Sequence, residues 1–184
     1  MRVIAGTARG VPLAAPRDRG TRPITDRVKE TMFGILGARV LDARVLDLYA
    51  GSGAIGIEAL SRGAAHATFV ERHREAVAVI HANLARTRLA GEASVHAQEV
   101  ARFLAGPPEG PFDLAVLDPP YAERAILAPL SGLAPWLAPG ATVVVKHFWR
   151  TEVPPTPHLL ATRERRFGET MLTFLERADP EEDR

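Results

Sequence analysis

Apolar positions along the chain alternate between two periods. Residues 44–49, 67–71, 93–98, 112–117 and 141–145 are short runs rich in apolar and β-branched side chains, the pattern of strands with little solvent-facing surface. Between them the spacing turns helical. The stretch from Ala54 to Arg62 reads as a helix with Gly63 at C′. Arg74 to Leu89 carries Val77, Ile80, Leu84 and Leu89 on one side and is expected to end by Gly91. A short helix follows around 100–104, and a helical stretch, 123–137, is interrupted by Pro129 and Pro135. Upstream, Val28, Met32, Ile35 and Leu36 form one apolar face of a helix that Thr25 caps, with Arg27, Lys29 and Glu30 off the stripe. Two last segments, 159–167 and 170–176, joined by Gly168-Glu169, read as an antiparallel hairpin.

Strands separated by helices imply a mostly parallel sheet covered on both faces, an α/β Rossmann-like architecture. The 184 residues suffice for one domain with a sizeable core. Around it, residues 1–21 read as an N-terminal arm or hairpin with Gly10 in the turn, residues 22–177 as the α/β domain, and 178–184 as an acidic tail.

Composition narrows the class. With 46% hydrophobic and 24% charged residues the balance is that of a soluble protein. No apolar run approaches the ~20 residues of a membrane span, the first residues lack a signal-peptide core, and cysteine is absent. A cytoplasmic protein without disulfides is expected. The net charge of +1 conceals a pole: residues 1–39 hold eight basic groups and three acids, the remainder 15 and 19. A basic pole suggests a polyanionic partner. The six histidines show no metal-ligand spacing, so no metal is expected. Trp136 and Trp149 are expected in the core or at its edge.

Two constellations carry chemistry. Gly51-Ser52-Gly53-Ala54-Ile55-Gly56 follows a strand and opens a helix, with Glu71 twenty residues after Gly51, the spacing of a ribose-binding acid. Alone, this fits a nicotinamide-dependent dehydrogenase or a nucleotide-binding module. Asp47, four residues before Gly51, tilts the choice. A carboxylate there repels a pyrophosphate and attracts the ammonium of S-adenosylmethionine. The second constellation is Asp118-Pro119-Pro120-Tyr121, directly after the 112–117 strand. Two prolines fix the backbone and remove two donors, leaving carbonyls to accept hydrogen bonds beside the Asp118 carboxylate and a flat ring. Such a corner suits a planar group bearing an exocyclic NH2.

These residues resemble the class I S-adenosylmethionine-dependent methyltransferases that modify exocyclic amines. Arg22-Pro23-Ile24-Thr25-Asp26-Arg27-Val28-Lys29-Glu30-Thr31-Met32-Phe33, with Arg2-Val3-Ile4-Ala5-Gly6, Arg9-Gly10 and Arg166-Phe167-Gly168-Glu169-Thr170, is similar to the RsmD type, bacterial enzymes acting on guanine N2 of small-subunit ribosomal RNA. The resemblance implies a seven-stranded sheet with the last strand antiparallel. It implies Asp118, Pro119, Pro120 and Tyr121 as the catalytic corner, and S-adenosylmethionine held by Asp47, Tyr49, Gly51, Ser52, Gly53, Glu71, Arg72, Glu99 and Val100. Glu99 stands where relatives usually show Asp or Asn, and an ordinary helix-start acid is its alternative. Lys146 stands where many relatives carry an acid. RNA contacts are expected from Arg2, Arg9, Arg17, Arg22, Arg27 and Lys29, with the ribosomal small subunit or its precursor as partner and no obligate protein partner. The competing reading within the same chemistry is a DNA adenine methyltransferase.

Overall fold

The computed structural model describes residues 1–17, 24–119 and 128–178. In chain order its elements are α1 (Asp26–Leu36), β1 (Arg44–Leu48), α2 (Ala54–Ser61), β2 (His66–Glu71), α3 (Arg74–Thr87), β3 (Ala93–Ala97), α4 (Val100–Leu104), β4 (Phe112–Leu117), α5 (Ala128–Gly132), β5 (Leu137–Phe148), β6 (Leu159–Phe167) and β7 (Thr170–Arg177). The seven strands form one sheet in the order β3-β2-β1-β4-β5-β7-β6. Strands β1 to β5 are mutually parallel; β7 runs antiparallel to both β5 and β6. This is the expected Rossmann-like α/β sheet.

Continuous apolar runs become the central strands because both faces are covered. Val45, Phe69, Leu114, Val116 and Val144 join one core with residues of α1, α2 and α3. Leu46, Leu48, Ala115, Leu117, Val143 and Val145 join the other, beneath α4 and α5. Trp136 is buried there, 4.5 Å from the Phe103 ring. The N-terminal arm also enters the first core through Val3, Ala8 and Leu13. It folds back on itself, with Arg2 bridging Pro12 and the Val3 amide donating to Val11.

Thr25 caps α1 as expected, its Oγ1 accepting from the Val28 amide. Gly63 follows α2 with φ +98, as a C′ residue does. Several boundaries differ from expectation. Helix α3 stops at Thr87 because Arg88, not Gly91, takes the left-handed conformation at φ +61. Strand β1 stops one residue early because Tyr49 also turns left-handed, at φ +62. Strand β5 begins at Leu137, which pairs with Phe112 across a register shift. The expected helix over 123–137 is therefore, within the described residues, α5 and a 3-10 turn at Ala134–Trp136; its start at 123–127 lies outside them.

The consequence for function is positional. Leaving β1, the chain builds β2 and β3 on one side, then returns to place β4 on the other. The loops that follow β1 and β4 diverge from neighbouring strands at one end of the sheet, the topological switch point where α/β folds bind ligands.

Candidate active site

Strand β1 delivers the glycine loop. Backbone φ is positive at Tyr49, Gly51 and Gly53, so the chain curls tightly between strand and α2. Gly53 at +75 is the N-cap of α2 and has no side chain to cap with. Gly56 answers a different need. A Cβ there would lie 2.3 Å from the buried Phe69 ring and 3.2 Å from Asp47 Oδ2, so only glycine lets α2 approach the sheet and its own amide reach Asp47.

Three side chains pin the loop. The Gly56 amide donates to Asp47 Oδ2 at 2.9 Å. The Gly51 amide donates to Glu71 Oε2 at 2.9 Å, while Glu71 Oε1 accepts from the His73 amide at 2.8 Å. From α3, Asn83 Nδ2 donates to the Ser52 carbonyl at 2.9 Å. Asn83 is fully buried and also exchanges two bonds with Ala14 of the N-terminal arm. Arm and glycine loop are therefore braced by one amide side chain.

Strand β4 delivers the corner. In register with β1, Leu117 pairs with Leu48, and the Asp118 amide reaches the Leu48 carbonyl at 3.3 Å. The two loops thus leave adjacent strands at the same end. Asp118 Oδ1 accepts from Lys146 Nζ at 2.5 Å, and the Asp118 side chain keeps 20% exposure against 7% for Lys146. Pro119 is buried beside it. Pro120 and Tyr121, the rest of the expected catalytic corner, lie outside the described residues, as does Arg22.

Burial dominates the electrostatics. It pushes the Asp47 carboxyl well above the ordinary 3.8, against the Gly56 hydrogen bond that lowers it, and the neighbouring Asp118 and Glu71 charges push the same way. Asp118 is raised by burial too, with the Lys146 ammonium pulling it down. Asp47 Oδ1 is buried with no hydrogen-bond partner among the described residues. Asp47, Asp118 and Glu71 lie close enough for their charges to act on one another, and such a group, one oxygen of it unsatisfied, favours cations, hydroxyls and amines and disfavours phosphates. That donor set fits the ammonium and ribose hydroxyls of S-adenosylmethionine.

At the margin of the crevice, Arg72 and Glu99 form an exposed ion pair of 3.3 Å that links the end of β2 to the start of α4. Val100 is buried behind them and Tyr49 is half-buried. The residues expected to contact RNA differ in exposure. Arg9, Arg17 and Arg27 are exposed; Arg2 is exposed but paired with Asp26 at 3.2 Å.

Lys29 is corrected outright. Its side chain has no exposure, its Nζ lying 3.0 Å from Glu58 Oε2 and 2.5 Å from the Arg2 carbonyl. It anchors the arm internally and cannot meet RNA. The reason is visible in α1: Phe33 is also buried and widens the apolar face to include Lys29, four residues before it. The sequence reading missed Lys146 as Asp118's partner and Asn83 as the loop brace. Asn83 did leave a signal, a polar residue three positions after Ile80 on the buried side of α3.

A family model described as "Conserved hypothetical protein 95" matches residues 1–176. The Escherichia coli K12 protein named ribosomal RNA small subunit methyltransferase D is 40% identical over 160 residues, covering 85% of this chain and 79% of its own. The solved structure of Escherichia coli yhhF superposes with a TM-score of 0.86 at 36% identity, over 97% of this chain and 98% of that one. An RNA methyltransferase of Salinibacter ruber, solved in complex with S-adenosylhomocysteine, shares the fold at 17% identity and a TM-score of 0.67, over 89% of this chain and 98% of its own.

Proposed function

From the premise that the chain belongs to the family described as conserved hypothetical protein 95, we propose that it transfers a methyl group from S-adenosylmethionine to the exocyclic N2 amine of a guanine in small-subunit ribosomal RNA. The observation that carries this reading is the shared crevice: the loop braced by Asp47 and Glu71 and the corner bearing Asp118 leave neighbouring parallel strands at one end.

The bound cofactor supplies an electrophilic methyl on sulfur, so the chain's own task is to hold and aim the nucleophile. The buried Asp47 oxygen without a partner answers an ammonium, and Glu71, with lone pairs left after two amide bonds, accepts ribose hydroxyls. Ser52 and Tyr49 on the glycine loop, Arg72 just after β2, Glu99 just before α4 and Val100 at its start would border that space. The guanine N2 lone pair is delocalised into its ring. Asp118 and the Pro119 carbonyl accept the two amine hydrogens and turn the nitrogen toward the methyl. Methyl transfer would break the methyl–sulfur bond and leave S-adenosylhomocysteine, and the surplus amine proton, acidic only once the N–C bond exists, would then pass to Asp118. Tyr121 stacks on the extruded base, a contact worth about 1–3 kcal/mol, which offsets an unstacking cost of a few kcal/mol.

The test is methyl-labelled cofactor offered with undermodified small ribosomal subunits, naked ribosomal RNA and DNA, followed by nucleoside analysis of the product. Label in N2-methylguanosine supports the reading; label in N6-methyladenine of DNA replaces it with the competing one. Titration with S-adenosylhomocysteine and with NAD separates methyl transfer from a dehydrogenase: the first is expected to raise the melting temperature and the second to leave it unchanged.

A further inference from the structure

Two members of the basic pole are committed within the fold: Lys29 is internal and Arg2 is paired with Asp26. Another basic cluster stands at the same end of the sheet as the glycine loop and Asp118. Strand β5 ends at Phe148, on the same end of the sheet as the glycine loop and Asp118, since it runs parallel to β4. Beyond it lie Trp149 and Arg150, in a turn closed by the Thr151 amide donating to the Phe148 carbonyl at 2.8 Å. The β6–β7 turn arrives at the same place, because Phe148 pairs with Thr170 and the Trp149 amide donates to the Glu169 carbonyl at 3.0 Å. The two turns are thereby fixed to one another by backbone bonds.

This juxtaposition builds a stacked group. The Arg166 guanidinium carbon lies 3.8 Å from the centre of the Trp149 ring, and that of Arg150 lies 4.7 Å from it. Arg166 is further held by its Nε donating to the Gly168 carbonyl at 2.8 Å. Stacking fixes the plane of a guanidinium without using its N–H groups, and the remaining forks match the geometry of phosphate oxygens. Among the described residues neither arginine is ion-paired to a carboxylate, unlike Arg2, Arg39, Arg62 and Arg72. Glu164 and Glu169 are nearby acids, and the Glu164 carboxylate accepts from Thr173 instead. Trp149 is three residues from Lys146, so its backbone lies within about 11 Å of the residue that touches Asp118.

We infer that Trp149, Arg150 and Arg166 form the clamp that grips phosphates of the RNA strand beside the target nucleotide, across the β5–β7 rim of the active site. The inference rests on the proposed RNA substrate. Trp149 pre-orders both guanidiniums, so less side-chain freedom is given up on binding than for unsupported surface arginines.

The experiment measures binding of an unmodified small-subunit ribosomal RNA transcript across a salt series, beside S-adenosylhomocysteine binding and melting temperature. The double variant Arg150→Gln/Arg166→Gln is expected to weaken RNA binding at least tenfold and to flatten the log–log salt slope by about 0.7 for each phosphate it no longer neutralises. Cofactor-product affinity and melting temperature should stay at wild-type values. Trp149→Leu, which retains both charges, is expected to weaken RNA binding with little change in slope. Wild-type RNA affinity and slope in the double variant would overturn the clamp while leaving the RNA reading standing. A wild-type protein that binds S-adenosylhomocysteine but no ribosomal RNA would overturn the substrate reading, and the clamp with it.

Discussion

Asp118 is subject to two opposing influences at the scale of a single residue. Burial favours its neutral form and Lys146 favours its ionised form. Protonation turns one of its oxygens into a donor facing the amine hydrogens, so kcat/KM is expected to fall as pH drops through its pKa, raised from the ordinary 3.8. Lys146→Met removes the counter-charge and leaves burial alone, so the acid limb of the pH–rate profile should move to higher pH. Lys146→Arg should bring it back. An unmoved limb in Lys146→Met would mean the ion pair is only structural. Substitutions at Asp118 itself separate geometry from basicity. General-base catalysis supplies about 10²–10⁴-fold, whereas positioning supplies about 7–11 kcal/mol. Asp118→Asn keeps an acceptor and should lose less than about 10²-fold in kcat/KM, with Asp118→Ala losing clearly more. Equal losses would make proton removal the dominant role.

Between elements, the fold depends on a few buried polar side chains that tie the N-terminal arm to the helices. Glu58 of α2 accepts from the Ile4 and Ala5 amides and pairs with Lys29 of α1 and Arg62. Removing one partner of a fully buried pair costs about 3–5 kcal/mol. Because Arg62 remains beside Glu58, Lys29→Met is expected near the lower end, about 3 kcal/mol, read by urea unfolding. A destabilisation below about 1 kcal/mol would show that Arg62 alone neutralises Glu58. Asn83 offers the complementary case. Asn83→Ala unties the Ser52 carbonyl and both Ala14 backbone groups, leaving polar groups that cost about 1–3 kcal/mol each where water cannot reach them. Because one of them is on the glycine loop, calorimetry should show S-adenosylhomocysteine affinity falling about tenfold, equivalent to about 1.4 kcal/mol. A variant that is less stable but binds normally would confine Asn83 to the arm.

For the whole molecule, the acidic crevice links stability to pH. Asp47 and Asp118 have raised carboxyl pKa values when folded. Above 3.8 the unfolded chain has released protons that these two folded carboxyls still hold, so their contribution to stability falls as pH rises through the raised values and is fully present only below 3.8. Asp47→Asn removes its share of that cost. It is expected to melt higher than wild type at neutral pH, with the difference closing as pH approaches 3.8, while cofactor-product binding weakens. A lower melting temperature at neutral pH would show that the Gly56 hydrogen bond outweighs burial. The chain alone determined the strand–helix alternation, the glycine turn, Asp47 and Glu71 at its flanks, and the Asp118 corner, because each is written in local spacing and backbone preference. Even the last hairpin was legible from Gly168 and the segments flanking it, though not the insertion of β7 between β5 and β6. The tertiary structure alone decided which charges meet: Lys29 with Glu58, Lys146 with Asp118, Arg166 over Trp149. Those pairs depend on the register of strands and helices far apart in sequence, and whether a charged side chain is buried or presented to a ligand depends on what the rest of the fold packs against it.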